Sequence, residues 1–405
     1  MSNAKPERCS LPFPRRYLDR RAVSIVRRLQ DHGFEAYLVG GCVRDLLLGS
    51  RPKDFDIATA ARPHQVRRLF RRSRLIGRRF RIVHVHQGRD FFEVATFRAA
   101  PQEAEDGGEE VEMIQRDNVY GTAAEDANRR DFTVNGLFLD PIKEEIVDWV
   151  GGLRDVDDRV LHTIGDPDVR FQEDPVRILR LIKFMRRLDL DPGEPEIAAA
   201  KRHATRLADA APARLAEEVF RLLATRQAEG VWDDVVALEL MPYLLPELQG
   251  WLDQDEAHEE LLRTRLRALD KMALDGFETD YAFSLAVLFG PRAEQEFHPK
   301  HRTLRVNEFS QVASALVGEF QQRARLPRHA VSHASRILTA QLRLDPPEFL
   351  ARKKKRKWSF EAMVDQEWFP SAMDYLRLRL LAEGRDLEVY ENWRKKALSL
   401  EAEGS

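Results

Sequence analysis

Apolar positions in the first part of the chain change their spacing several times, and each change marks an element. Ala22, Ile25, Val26 and Leu29 recur at helical intervals before Gly33 stops the turn. Residues 34–39 then read as a buried strand that ends on Gly40-Gly41. A short apolar helix over 43–48, closed by Gly49, leads into a second strand over 54–58 and a strongly basic helix over 63–72. Two further strands are predicted at 81–87 and 91–98, joined by Gly88-Arg89-Asp90. From Asp174 onward glycine becomes scarce, and repeats such as Ile178, Leu181, Ile182, Met185 and Leu188 predict amphipathic helices through the rest of the chain. The fold class is therefore α+β, with a mixed front and an all-helical remainder.

Around this frame lie three polar stretches. Residues 1–19 are proline-punctuated and read as an arm, with order beginning after them. Residues 101–112 carry six acids around Gly107-Gly108 and read as a mobile acidic loop. Residues 352–357 are an unbroken run of Arg and Lys followed by Trp358. Composition adds little until it is localised: 65 Lys and Arg against 67 Asp and Glu leave a net charge of -2 over 405 residues, which excludes a uniformly polybasic nucleic-acid binder. With 43% hydrophobic residues the chain has material for real cores, and wholesale disorder is excluded. Cys9 and Cys42 are too few for a disulfide framework or a zinc site. With no apolar run long enough to span a bilayer and no leader-like segment, the expectation is a cytoplasmic protein without a membrane.

The chemistry concentrates between residues 38 and 56. Leu38-Val39-Gly40-Gly41-Cys42-Val43-Arg44-Asp45 puts a glycine turn before a helix, and Lys53-Asp54-Phe55-Asp56 follows. Side chains alternate along a strand, so Asp54 and Asp56 are expected on one face with Phe55 and Ile57 in the core. Two carboxylates in one place repel each other unless a cation joins them, and such a pair with open water positions suits Mg²⁺ and a triphosphate. Gly40 and Gly41 allow close backbone approach, and Arg44 is expected to fork onto phosphates. Asp174 stands at a predicted helix N-cap with Pro175 in the first turn, and Arg177 and Arg180 follow along one helical face.

In order along the chain, residues 38–56, Arg129-Arg130-Asp131-Phe132-Thr133-Val134-Asn135 and Glu173-Asp174-Pro175-Val176-Arg177 resemble the motifs of the class II tRNA nucleotidyltransferase and bacterial poly(A) polymerase family. The resemblance is dense over residues 20–250. It implies a polymerase beta-like nucleotidyltransferase palm as head, over 20–155, then a helical neck with base recognition over 156–250 and a helical body and tail over 251–405. It implies that Asp54 and Asp56 bind two Mg²⁺ ions and activate an RNA 3′-hydroxyl against the α-phosphate of ATP. Glu93 fits a third carboxylate or an edge-strand glutamate. Asp131 is assigned to ribose or metal and Arg130 to the triphosphate, with a salt-bridge or capping role as the alternative for each. Asp174 and Arg177 are assigned to reading the incoming base, and Arg180 to phosphate or the RNA end.

Residues 75–85, Leu75-Ile76-Gly77-Arg78-Arg79-Phe80-Arg81-Ile82-Val83-His84-Val85, resemble the stretch that marks bacterial poly(A) polymerases apart from CCA-adding relatives. This favours polyadenylation, with CCA or A addition to tRNA as the alternative. The stretch lies in an arginine belt, Arg62, Arg67, Arg68, Arg71, Arg72, Arg74, Arg78, Arg79 and Arg81, with no acid between its members. Such a belt suits an RNA backbone or a solvated helix face compensated by the acidic loop at 103–112, and the tract at 352–357 suits single-stranded RNA or a solvated charge run; Arg78, Arg79, Lys354 and Lys355 are the RNA-binding candidates. His84 and His86 read as hydrogen-bonded rather than metal-ligating histidines. Partners implied are RNA 3′ ends of mRNA, small RNA or tRNA, ATP, and RNA-degradation machinery. A catalytically silent RNA clamp is the competing class, and intact Asp54, Asp56 and Arg44 oppose it.

Overall fold

The computed structural model describes residues 5–77, 81–99, 119–297, 306–347 and 360–404. The chain divides into two compact units, residues 1–173 with 190–199, and residues 174–189 with 200–405.

The first unit is built on an eight-stranded sheet in the order β1-β8-β7-β2-β3-β6-β5-β4. These strands are β1 (Glu7–Ser10), β2 (Ala36–Val39), β3 (Asp56–Thr59), β4 (Ser73–Ile76), β5 (Ile82–Gln87), β6 (Asp90–Thr96), β7 (Phe138–Asp140) and β8 (Glu145–Asp148). Within this sheet, among the described residues, β3 and β6 pair in parallel and the other neighbours are antiparallel. Helix α1 (Arg20–Asp31) buries Ala22, Val23, Ile25, Val26 and Leu29, and the Asp19 carboxylate caps it by accepting the Arg21 and Ala22 amides. Helices α2 (Gly41–Leu47) and α3 (Pro63–Leu69) follow β2 and β3. Tyr37, Val39, Ala58, Phe97, Ala123, Ala127, Phe138 and Val147 form one core cluster, against which Trp149 packs.

Three local expectations change. The polar arm is not wholly without order: Glu7–Ser10 pairs with β8, Glu7 opposite Asp148, and Arg8 reaches Glu145 at 3.0 Å. An edge strand recruited through its backbone leaves no apolar alternation in the sequence. The basic helix ends at Leu69, where Phe70 turns to extended geometry, and the chain reverses into β4, which pairs with β5. The second acid-bearing strand starts at Asp56, so Asp54 lies in the loop before it rather than two positions along the same strand. The acidic stretch at 101–112, the basic tract at 352–357 with Trp358, and the RNA-binding candidates Arg78, Arg79, Lys354 and Lys355 lie outside the described residues.

The second unit is helical, as its periodicity predicts. In the Val176–Leu188 helix Ile178, Leu181 and Ile182 are buried, and in Pro212–Leu223 so are Leu215, Val219 and Phe220. Long helices at Glu256–Leu274, Tyr281–Phe297, Val306–Ala324, Arg328–Leu344 and Phe369–Ala382 enclose an aromatic core that includes Phe283, Phe289, Phe320 and Tyr375. Among the described residues no helix is long and apolar enough to cross a membrane. Two cations are sunk into this unit among the described residues. Arg265 is 1% exposed and donates to Glu294 at 2.8 Å, and Lys183 donates to Glu218 at 2.9 Å.

The two members of the Lys183–Glu218 pair respond differently to their surroundings. Burial and Arg180 hold the Lys183 ammonium below its ordinary range despite Glu218. Burial raises Glu218, yet Lys183, Arg221 and Arg180 together bring its carboxyl below the ordinary range. The excess of positive charge favours the carboxylate and disfavours the ammonium. Glu218→Ala therefore leaves Lys183 buried among cations, and urea unfolding should show a loss of about 3–5 kcal/mol. A loss within experimental error would mean that the pair contributes nothing to folding.

Candidate active site

The register of three strands assembles the site. Val39, the last residue of β2, pairs with Asp56, the first of β3. In the parallel β3–β6 ladder Ile57 pairs with Val94, so Asp56 and Glu93 stand side by side one residue earlier. The glycine turn that follows Val39 is thereby brought next to both acids. Asp54, Asp56 and Glu93 line one cleft of about 1450 Å³ together with Lys53, Arg89 and Phe91.

This arrangement is electrostatically uncomfortable. The Asp56 carboxyl is pushed up to about 6 by burial first, then by Glu93, with Asp54 adding to the rise and Arg130 opposing it. Its side chain keeps solvent access on the cleft side, at the exposed start of a strand whose next three residues are buried. Glu93 is half open and meets His84 Nε2 at 3.4 Å, and the His84 ring stacks on Phe91 with centroids 4.3 Å apart. Among the described residues no three His, Cys, Asp or Glu side chains form a closed cation cage. Crowded carboxylates without a complete cage fit a divalent ion that takes its remaining ligands from substrate and water, as Mg²⁺ does.

Gly40 has two reasons to be glycine. Its φ of 71° is in the left-handed region, and a Cβ there would come within 2.7 Å of Arg130 Nη1. The Arg130 guanidinium thus lies against the turn. It donates to Asp126 at 3.0 Å and to the Asn135 carbonyl at 3.2 Å, and it covers the Phe138 ring at 5.1 Å. Its Nε is buried without a partner. Asp126 is almost fully buried and also accepts from Arg129 at 2.6 Å and from the Arg98 amide at 3.1 Å. Burial raises its carboxyl, but Arg130 and Arg129 outweigh burial and hold it below the ordinary range. Arg170 completes the support by donating to the carbonyls of Arg129 and Arg130.

A second network runs beneath the turn. Arg44 is buried, where it donates to Asp45 at 2.8 Å and to the Asn135 side chain at 2.5 Å. Asn135 in turn donates to Asp131 at 3.0 Å, and Asp131 accepts the Phe132 amide at 2.9 Å. The guanidinium expected to fork onto phosphates, and the acid expected at ribose or metal, are thus engaged with each other through Asn135. A charge this far from water requires fixed partners, and Asp45 and Asn135 supply them. Gly41 stays open, with Arg44 alone near its Cβ position among the described residues.

The remaining sequence-predicted residues belong to the second unit. The helix begins at Val176 with Pro175 rather than Asp174 at its N-cap; Asp174, one residue earlier, accepts the Val176 amide at 3.3 Å and takes a bidentate ion pair from Arg214 at 2.9 and 2.6 Å. Arg177 and Arg180 sit half-buried on the Val176–Leu188 helix, and Arg180 covers Phe184 at 5.3 Å. Sequence reasoning passed over Asp126, Asn135, Arg170 and Arg214. Asp126 had a signal, since it precedes Arg129 and Arg130 by three and four residues, the spacing of neighbours on a helix. Arg214 had none, because its partner is 40 residues away.

Two family models match the chain. The Poly A polymerase head domain family matches residues 36–162. The family described as "Probable RNA and SrmB- binding site of polymerase A" matches residues 194–252. Poly(A) polymerase I of Haemophilus influenzae is 42% identical over 281 residues, which are 68% of this chain and 62% of its own length. Poly(A) polymerase I of Salmonella typhimurium is 33% identical over 406 residues, 96% of this chain and 86% of its own. The crystal structure of the Bacillus stearothermophilus CCA-adding enzyme in complex with CTP shares the fold, with a TM-score of 0.65 at 23% identity over 94% of this chain and 82% of that one. Identity of this extent, carried by a head with paired acids beside a glycine turn, places the chain in the poly(A) polymerase I family of polynucleotide adenylyltransferases, which extend RNA 3′ ends without a template.

Proposed function

We propose that the chain joins AMP from ATP to RNA 3′ ends with Asp54, Asp56 and Glu93 as its carboxylate centre. The observation that carries this reading is the β2–β3–β6 register, which sets Asp56 beside Glu93 and next to the Gly40 turn. In the reaction the 3′-hydroxyl oxygen bonds to the α-phosphorus, the bond to the leaving pyrophosphate breaks, and the hydroxyl proton is released. Mg²⁺, when bound, supplies charge neutralisation on the triphosphate and acidifies the 3′-hydroxyl, and two ions divide those tasks. Asp54 and Asp56 hold the metal, and Glu93, braced by His84, stands beside them as third carboxylate. Gly40 and Gly41 leave the backbone open to phosphate, and Arg130 meets the triphosphate from the side of the turn. Arg44 and Asp131 act by holding the turn and Asn135 in place.

Asp174 and Arg177 choose the base through paired donors and acceptors, with Arg214 fixing the Asp174 carboxylate, and Arg180 attends phosphate or the RNA end. The similarity of residues 194–252 to an RNA-binding family supports RNA as partner. Free Cys9 and Cys42 support a reducing cytoplasm, and RNA-degradation machinery that acts on tailed ends is the natural associate.

Asp54→Ala and Asp56→Ala should each lower AMP incorporation by about a thousandfold or more while the circular dichroism spectrum is kept. Incorporation close to wild type would remove the carboxylates from the mechanism. Arg177→Ala should reduce the preference for ATP over CTP by roughly ten- to hundredfold, measured as a ratio of kcat/KM values. An unchanged ratio would dismiss it as the base reader.

Asp56 also leaves a mark on stability. The folded protein holds the Asp56 proton more tightly than the unfolded chain, whose carboxyl titrates near 3.8, so stability is lost as pH rises from there through about 6. With chelator present, Asp56→Asn should raise the thermal midpoint at pH 8, and the gain should vanish near pH 4. Adding Mg²⁺ should raise the midpoint of the wild type but not of the variant. A variant less stable than wild type at pH 8 would contradict the crowding.

A further inference from the structure

A second cleft in the first unit, of about 800 Å³, shares no lining residue with the catalytic one. It is walled by Arg28 and His32 from α1 and the turn after it, by Arg68, Arg71 and Arg72 at the end of α3, and by His86 on β5. Among the described residues no Asp or Glu lines it. Its arginines also differ from those that are held in ion pairs. Arg129, Arg130, Arg186 and Arg214 are each neutralised by a carboxylate. Arg28, Arg68, Arg71 and Arg72 are exposed and pair with no carboxylate among the described residues. Arg28 is held over the Phe70 ring at 5.3 Å, which fixes its stem and leaves its donors to the cleft.

Aromatic rings lead from this cleft to the catalytic one. His86 faces Phe91 across the β5–β6 ladder with ring centroids 6.2 Å apart. Phe91 is 51% exposed, lines the catalytic cleft and carries the stacked His84 ring that touches Glu93. Unpaired guanidiniums followed by an exposed ring match the demands of a single strand, whose phosphates need cations and whose bases stack on any π-face.

We propose that single-stranded RNA upstream of the reacting 3′ end runs through the arginine cleft and crosses Phe91 into the catalytic cleft. The cleft takes the backbone phosphates and Phe91 takes a base, so this track binds RNA without reading its sequence. The inference rests on the RNA-tailing reading above.

The test combines binding and kinetics on Arg68→Ala/Arg71→Ala/Arg72→Ala, its Lys counterpart and Phe91→Ala, with oligoadenylates as probe. Fluorescence anisotropy on an oligomer of about twenty nucleotides should show the triple Ala variant weaker by roughly tenfold or more, with the log–log salt slope reduced by about 2. The Lys counterpart should recover the slope, which separates lost charge from a lost fold. In AMP addition the loss in kcat/KM should grow with primer length, being small for about four nucleotides and large for about twenty. Phe91→Ala should weaken binding with no change in salt slope. Unchanged affinity and slope in the Ala variant, or a loss equal for short and long primers, overturns the track and leaves the cleft to an acidic protein partner. Failure of the wild type to extend any primer would sink the tailing reading itself, whatever the binding result.

Discussion

Asp56 is held where its own charge is unwelcome, and the head of the molecule is arranged around that fact. Its place is set by backbone pairing, with Val39 on one side and the position beside Val94 on the other, so it cannot retreat from Glu93 without breaking the sheet. The sheet thus forces a concentration of negative charge that burial makes worse. Such crowding is tolerable in a protein whose working state contains a cation and a triphosphate, because both partners enter the same space.

Two networks of opposite sign keep the surroundings rigid. Asp126 gathers Arg129 and Arg130, and Arg170 grips the backbone of both, so the guanidinium beside Gly40 is fixed before any phosphate arrives. Beneath the turn the chain Asp45–Arg44–Asn135–Asp131 joins α2 to the Thr133–Asn135 turn. Preorganised donors of this kind act without reorganisation cost at the moment of reaction, which is where electrostatic catalysis draws its advantage. The same networks explain why some motif residues are buried: their work is to hold others in place.

Much of this is legible in the sequence. The helical interval from Ala22 to Leu29, the run into Gly40-Gly41 and the Ile178–Leu181–Ile182 repeat are strong periodic signals, and each became the element it predicts. What escaped was pairing that carries no pattern of its own. Glu7–Ser10 joins the sheet edge through backbone groups, β4 hides behind an arginine-rich helix end, and Asp54 loses its place on β3 because the strand begins two residues later. At the site, the acids and the glycine turn were visible as local motifs. The burial of Arg44 and Asp131 and the Asp174–Arg214 pair depend on contacts between distant segments, which no local spacing encodes.

In the function proposed, this carboxylate centre adds adenylate to RNA generally rather than completing tRNA. Its most direct test is to supply Mg²⁺ with ATP or CTP to the purified protein, on an unstructured RNA and on tRNAs trimmed at the 3′ end, and to resolve products at single-nucleotide length. A long ladder with ATP on the unstructured RNA and little addition with CTP is expected. Addition that ignores the unstructured RNA and stops at a completed CCA end would contradict it.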